Sequence, residues 1–116
     1  MSYKVKVYKD NSGNEPVVEY LNALPAKHKA KALRAIDLLE EFGRELKEPY
    51  AKHLEGELWE LRVKQASDIS RILYFAEVGD SFVLLHGFIK KTQKTPKKEL
   101  DRALRYLADY VRGTKK

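Results

Sequence analysis

Five lysines, Lys90, Lys91, Lys94, Lys97 and Lys98, fall within nine positions and follow directly on an apolar, strand-like run. Ammonium groups gathered at a strand end can dock phosphate and offset charge that builds on its oxygens during a reaction. Arg62 and Arg71 lie in strand-like stretches upstream, and their planar guanidinium forks bind phosphate or carboxylate through paired hydrogen bonds. His86 adds an imidazole, which titrates near neutrality and can serve as acid or base. Its place between Leu85 and Gly87 in an apolar strand leaves a purely structural role open beside the chemical one.

Other chemistries lack their residues. The absence of cysteine removes thiolate nucleophiles, thiolate metal sites and disulfides together, and suits a reducing cytosol. His28, His53 and His86 are far apart, with no ligand partner at helical i, i+4 spacing, so no metal is expected. The glycines form neither G-x-G-x-x-G nor a P-loop, and no serine sits in a G-x-S-x-G elbow; no nucleotide cofactor and no serine hydrolase chemistry are expected.

The charge is unevenly placed. Lys and Arg number 23 against 17 Asp and Glu, so 23 − 17 gives +6. Residues 90–116 hold 10 basic and 3 acidic side chains, a balance of +7, whereas residues 1–89 hold 13 and 14, a balance of −1. That asymmetry favours a polyanionic or acidic partner, although a solvated helix start would carry the same residues. The apolar stretch at 82–89 is interrupted by His86 and far too short to span a bilayer, and no apolar leader opens the chain. A soluble, cytoplasmic protein with no membrane partner is expected, folded as a single domain over residues 1–116.

The elements that must position these cations are readable from periodicity. Tyr3, Val5 and Val7 alternate as in a strand, ended by the turn-forming Asp10-Asn11-Ser12-Gly13-Asn14. Val17, Val18, Leu21 and Leu24 have helical spacing, and after Pro25 a longer helix carries Ala32, Leu33, Ala35, Ile36, Leu39 and Phe42 up to a stop at Gly43. Arg44 to Glu57, broken by Pro49 and Gly56, reads as a connection. Three strands follow, over 58–63, 69–76 and 82–90, joined by loops short enough for antiparallel hairpins. Thr95 is a hydroxyl N-cap candidate with Pro96 at the first helical position, and Leu100, Ala103, Leu104, Leu107 and Val111 make one apolar stripe. The fold class is α+β, in the order β-α-α-β-β-β-α, with a mainly antiparallel sheet, an N-terminal helical hairpin and a C-terminal helix.

Symmetric closure of the hairpins sets an expected register. A turn centred on Ala66-Ser67 pairs Arg62 with Arg71; a turn centred on Val78-Gly79 pairs Phe75 with Phe82, Leu73 with Leu84 and Arg71 with His86. Like charges directly opposite one another destabilise a sheet, so Glu60, an acidic partner or a phosphate must compensate the arginines. Trp59 shares parity with Leu61 and Val63 and reads as core, while Tyr106 and Tyr110 lie off the main stripe of the last helix, where either a partner or the sheet would take them.

Three segments together, Leu58-Trp59-Glu60-Leu61-Arg62, Ser70-Arg71-Ile72-Leu73-Tyr74-Phe75 and Leu85-His86-Gly87-Phe88-Ile89-Lys90-Lys91-Thr92-Gln93-Lys94-Thr95-Pro96, resemble the RelE/ParE superfamily of toxins in its HigB-like branch, which includes phage-derived Gp49-like proteins. The resemblance covers nearly the whole chain. It implies the toxin of a type II toxin–antitoxin pair, a cytoplasmic, metal-independent and cofactor-free endoribonuclease that cleaves messenger on the ribosome by attack of a ribose 2′-hydroxyl on the adjacent phosphate. It places Arg71 at the scissile phosphate with Arg62 on the neighbouring strand, Lys90 and Lys91 at the basic strand end and Lys94 on the RNA backbone; beside it, the residues themselves offer His86 as a candidate acid or base and Lys97 and Lys98 as further RNA contacts. Glu48 resembles a carboxylate that some relatives use as a base. A cognate helix-turn-helix antitoxin, with which the toxin forms an oligomer, is implied as partner beside the ribosome and messenger. The alternatives are a ParE-like gyrase-binding toxin without nuclease activity and a non-catalytic, phage-derived nucleic-acid-binding accessory protein.

Overall fold

The computed structural model describes residues 3–66, 68–77, 79–90 and 94–114, the side chains of Lys90 and Thr114 excepted. The elements run β1 (Lys4–Val7), α1 (Pro16–Ala23), α2 (Ala26–Phe42), a short 3₁₀ turn (Gly43–Glu45), β2 (Ala51–His53), β3 (Trp59–Gln65), β4 (Asp68–Glu77), β5 (Ser81–Lys90) and α3 (Lys97–Thr114). The α+β class and the order of elements agree with the sequence reading, with one addition. β2 lies inside the stretch read as a plain connection. It is a three-residue edge strand with exposed Lys52 and His53, so it offers no alternation to detect. Pairing alone defines it, through Ala51 with Leu61, Lys52 with Glu60 and His53 with Trp59, and the Arg62 amide donates to the Tyr50 carbonyl at 2.8 Å just before it.

The sheet order is β1-β5-β4-β3-β2, with β1 parallel to β5 and every other pair antiparallel. α1 and α2 cover one face, where Val17, Leu21, Ala32, Ala35 and Leu39 pack with Leu61, Val63, Ile72, Tyr74 and Leu84. α3 covers the other, its Ala103 and Leu107 meeting Leu58, Leu73, Phe75, Val83, Leu85 and Phe88. Each large apolar side chain removed from water in this way contributes about 1.5–3 kcal/mol before entropy is counted. Trp59 packs against the first of these cores, as its parity implies. The buried His28 and Ser70 side chains, 2.8 Å apart, tie α2 to β4. Gly43 ends α2 with φ +52° and an N–H bond to the Leu39 carbonyl. A Cβ there would strike the Tyr3 ring, so the stop signal is also a close approach.

The β3–β4 register is the expected one, with Arg62 opposite Arg71. The β4–β5 register differs. Phe75 pairs with Val83, Leu73 with His86 and Arg71 with Phe88, in place of the expected Phe82, Leu84 and His86. Two single-residue offsets cause this: the hairpin closes at Glu77 and Ser81, leaving three residues between them, and a bulge between Leu73 and Tyr74 inserts Leu85 on β5. Together they shift the pairing by two, and parity returns. His86 therefore still shares a face with Arg71 and Arg62, one pair further along. α3 also begins one residue later than its signal, because the Pro96 carbonyl accepts the Glu99 and Leu100 amides at 3.1 and 3.2 Å and Thr95 precedes the cap. Among the described residues no helix is long and apolar enough to cross a membrane.

Gly87 faces α1, and a Cβ at that position would overlap the Tyr20 ring. Gly87→Ala is expected to lower the unfolding free energy by about 1–3 kcal/mol in a urea titration. In a Tyr20→Leu background the same change should cost less; equal losses in both backgrounds would refute the packing account.

Candidate functional site

Arg62 and Arg71 face each other across β3 and β4, on the side of the sheet that α3 covers. Glu60, two residues before Arg62 and so on the same face, supplies the compensating charge. Its carboxylate is wholly buried and accepts from Arg62 Nε at 2.8 Å and from Arg71 Nη1 at 3.2 Å. The Thr95 hydroxyl donates to the same Oε1, and Arg71 Nη1 also donates to Thr95 Oγ1 at 3.0 Å. The Thr95 hydroxyl therefore bonds to the sheet: its proton goes to Glu60, and its oxygen, the atom a cap would offer to the α3 amides, accepts from Arg71. This joins the segment before α3 to the two strand arginines.

Sharing one carboxylate divides the arginines. Arg71 is 1% exposed and enclosed by Glu60 and Thr95. Arg62 keeps 23% of its side chain exposed and borders two grooves. One groove, about 160 Å³, lies on the α3 side and is lined by Lys52, Glu55, Arg62, Lys94 and Thr95 among others. The second, about 550 Å³, lies between α2 and the β3 edge and takes in Lys31, Arg34, Tyr50 and Lys64. A partly open guanidinium, fixed by a buried carboxylate and flanked by ammonium groups, presents ready-made hydrogen-bond donors to an anion without having to reorganise.

His86 does not join this cluster. It is buried, its Nε2 lies 2.8 Å from a Glu99 carboxylate oxygen, and its ring stacks on Phe88 with centroids 5.6 Å apart. Burial pushes its pKa below the ordinary value of 6.5, and the Glu99 carboxylate opposes this less strongly. A neutral ring bonded to a carboxylate must donate from Nε2, a structural bond between β5 and α3. Lys97 is exposed and pairs with Asp101 at 3.3 Å on its own helix, and Lys98 is exposed on the same first turn. Lys90 ends β5 opposite Ile69, with its side chain outside the described residues; Lys91 lies outside them altogether. Glu48 is exposed in the loop before β2. Tyr106 stacks on Tyr8 at 4.9 Å and the Tyr110 hydroxyl donates to Glu77 at 2.6 Å, so both serve packing against the sheet. Among the described residues no group of three or more His, Asp or Glu is placed to hold a metal ion.

Lys31, Arg34, Lys52, Tyr50 and Glu55 were not singled out by sequence reasoning. A net-charge split hides α2, whose first nine residues carry Lys27, Lys29, Lys31 and Arg34 while Asp37, Glu40 and Glu41 follow. The signal was available in the order of charge along the helix, four cations before the first acid.

A five-stranded sheet with a helical hairpin on one face and a C-terminal helix on the other is a RelE-type fold. Among solved structures, it is similar to the archaeal RelE–RelB complex from Pyrococcus horikoshii OT3, with a TM-score of 0.55 and 24% identity over 81% of this chain and 100% of that one. A search of the curated proteins finds no match. The model of the family described as phage-derived protein Gp49-like matches residues 19–108, and the chain belongs to that family.

Two stability predictions arise from this geometry. Glu60→Ala leaves Arg71 buried without its main counter-charge and should cost about 3–5 kcal/mol in a denaturant titration; a loss under about 1 kcal/mol would show that the carboxylate is not needed. For His86, the folded state releases the proton at lower pH than the unfolded chain does. Stability is thus complete above about 6.5 and falls as pH drops from there toward the folded value. The difference in midpoint between about pH 7.5 and about pH 5.5 should shrink in His86→Gln; an unchanged difference would rule His86 out as its source.

Proposed function

We propose that this chain is the toxin of a type II toxin–antitoxin pair and that it cleaves messenger RNA in the ribosomal decoding site. Family membership and the RelE-type fold support the toxin reading. The observation that carries the nuclease reading is Arg62, partly open and held by buried Glu60 beside Lys52 and Lys94. The similar archaeal structure is a complex of RelE with RelB, which supports an antitoxin as partner here. In this reading the antitoxin is a helix-turn-helix protein that forms an oligomer with the chain.

The reaction is a transesterification. The ribose 2′-oxygen bonds to the adjacent phosphorus while the bond from phosphorus to the 5′-oxygen breaks. The 2′-proton passes to a base and the departing 5′-oxygen takes up a proton, leaving a 2′,3′-cyclic phosphate and a 5′-hydroxyl. Arg62 contacts the phosphate, and Lys52 and Lys94, with Lys90 and Lys91 from the end of β5, offset the charge of the phosphorane-like transition state. Arg71 acts through Glu60 as a positioning residue, because its guanidinium is enclosed. Glu55, an exposed carboxylate on the same groove, takes the 2′-proton. Buried His86 has no step. The reaction in this reading is metal-independent, and Lys97 and Lys98 lie along the RNA backbone.

Purified protein should cut messenger on programmed ribosomes. Arg62→Ala should lower that rate by about 10²–10³, in a protein that is still folded at the assay temperature although it has lost the bond to Glu60, and Glu55→Gln should lower it by about 10² or more while unfolding at the wild-type midpoint. Wild-type cleavage by Arg62→Ala would overturn the assignment. Intact messenger together with inhibited gyrase would move the chain to the gyrase-binding reading.

A further inference from the structure

We infer that the larger groove, between α2 and the β3 edge, is a second binding site that holds the messenger strand beside the cleavage point, taking one nucleobase against Tyr50 and its flanking phosphates on Arg34 and Lys64. This rests on the nuclease reading for the identity of the strand, but not for the chemistry of the groove.

The charge argument comes first. Lys31, Arg34, Arg62, Lys64 and Arg71 border the groove, and among the described residues no carboxylate lines it. Glu60 answers Arg62 and Arg71, and among the described residues no carboxylate forms an ion pair with the three exposed cations. Lys31 Nζ lies 3.4 Å from the Lys64 carbonyl, which supplies a dipole and no counter-charge. Lys31 and Arg34 also belong to the first nine residues of α2, which carry four cations and no acid. Cations held together against mutual repulsion mark a surface suited to an anion.

Shape and continuity choose the anion. Lys31, Arg34, Ala35 and Leu38 share one helix face, and Ala35 and Leu38 give the groove an apolar floor. Tyr50, 51% exposed, adds an open aromatic ring beside Pro49. An apolar floor with an open ring and a cationic rim suits a base with its phosphates, and base stacking on aromatic rings is tolerant of sequence. The volume, about 550 Å³, falls in the ordinary range for ligand clefts, about 300–1,000 Å³. Most tellingly, Arg62 borders this groove and the smaller one alike, so a polyanion seated at Arg62 continues from one into the other.

The test is an NMR titration of the full chain with a 2′-O-methyl RNA hexanucleotide, which cannot be cut and so reports binding independently of cleavage. Amide shifts are expected at Arg34, Tyr50 and Lys64 as well as at Lys52. Tyr50→Ala should weaken binding about tenfold, and Arg34→Ala should reduce the slope of log affinity against log salt by about 0.7, one phosphate's share for a single strand. Both variants should unfold at the wild-type midpoint. Shifts confined to the Lys52 and Lys94 side, or wild-type affinity and salt slope in both variants, would overturn the proposal. So would shifts at Arg34 and Tyr50 produced by an acidic amphipathic peptide and not by the oligonucleotide, since the groove would then belong to a protein segment. Binding in the groove without ribosomal cleavage would leave this inference standing and sink the nuclease reading alone.

Discussion

One buried carboxylate sets the terms for the rest of the molecule. Two arginines directly opposed on neighbouring strands repel, and a sheet bearing them uncompensated on a covered face would be unstable. Glu60 lies between them and turns repulsion into a shared ion pair, while the Thr95 hydroxyl and Arg71 Nη1 close the network. The geometry is asymmetric because α3 and the segment before it cover Arg71 but not Arg62. One arginine becomes structure and the other remains available to an anion. Such a network is weak as a source of stability and strong as a constraint on shape, because losing one member strands the others in a medium that cannot solvate them.

Much of this was legible in the sequence. The helical hairpin, its stop at Gly43 and the Arg62–Arg71 pairing all follow from period, punctuation and the short β3–β4 turn, and Glu60 was among the groups able to answer the arginines. What could not be read has local causes. β2 is too short and too polar to show a period, and its existence depends on a partner edge. The β4–β5 register needed knowledge of a three-residue turn and a bulge, neither of which leaves a mark in hydrophobic alternation. Thr95 was misread as a cap because its sequence context, hydroxyl then proline, is the same whether the hydroxyl turns to the helix or to the sheet. Burial decided the matter: the acceptor on the sheet is a carboxylate that needs every donor it can find.

Charge behaved differently in sequence and in space. The lysine-rich stretch dominates any count along the chain, yet the larger cationic groove draws on α2, β3 and β4, segments whose total charge is close to neutral. The sequence of α2 is basic at its beginning and acidic at its end, and folding places Lys31 and Arg34 of the basic part beside the sheet edge. Arg62 then links that groove to the smaller one through its own side chain. A linear split detects a basic tail but cannot detect a basic surface assembled from balanced segments.

The parallel pairing of β1 with β5 bears on how the molecule assembles. Lys4 lies beside Ser81, 81 − 4 = 77 residues apart, so the first strand has no sheet to join until the last one exists. The Glu60 network likewise waits for Thr95, 95 − 60 = 35 residues downstream. Distant contacts of this kind slow the search for the native state. A nascent chain on the ribosome therefore holds its arginines without a finished pocket around them until β5 and the segment bearing Thr95 have left the exit tunnel.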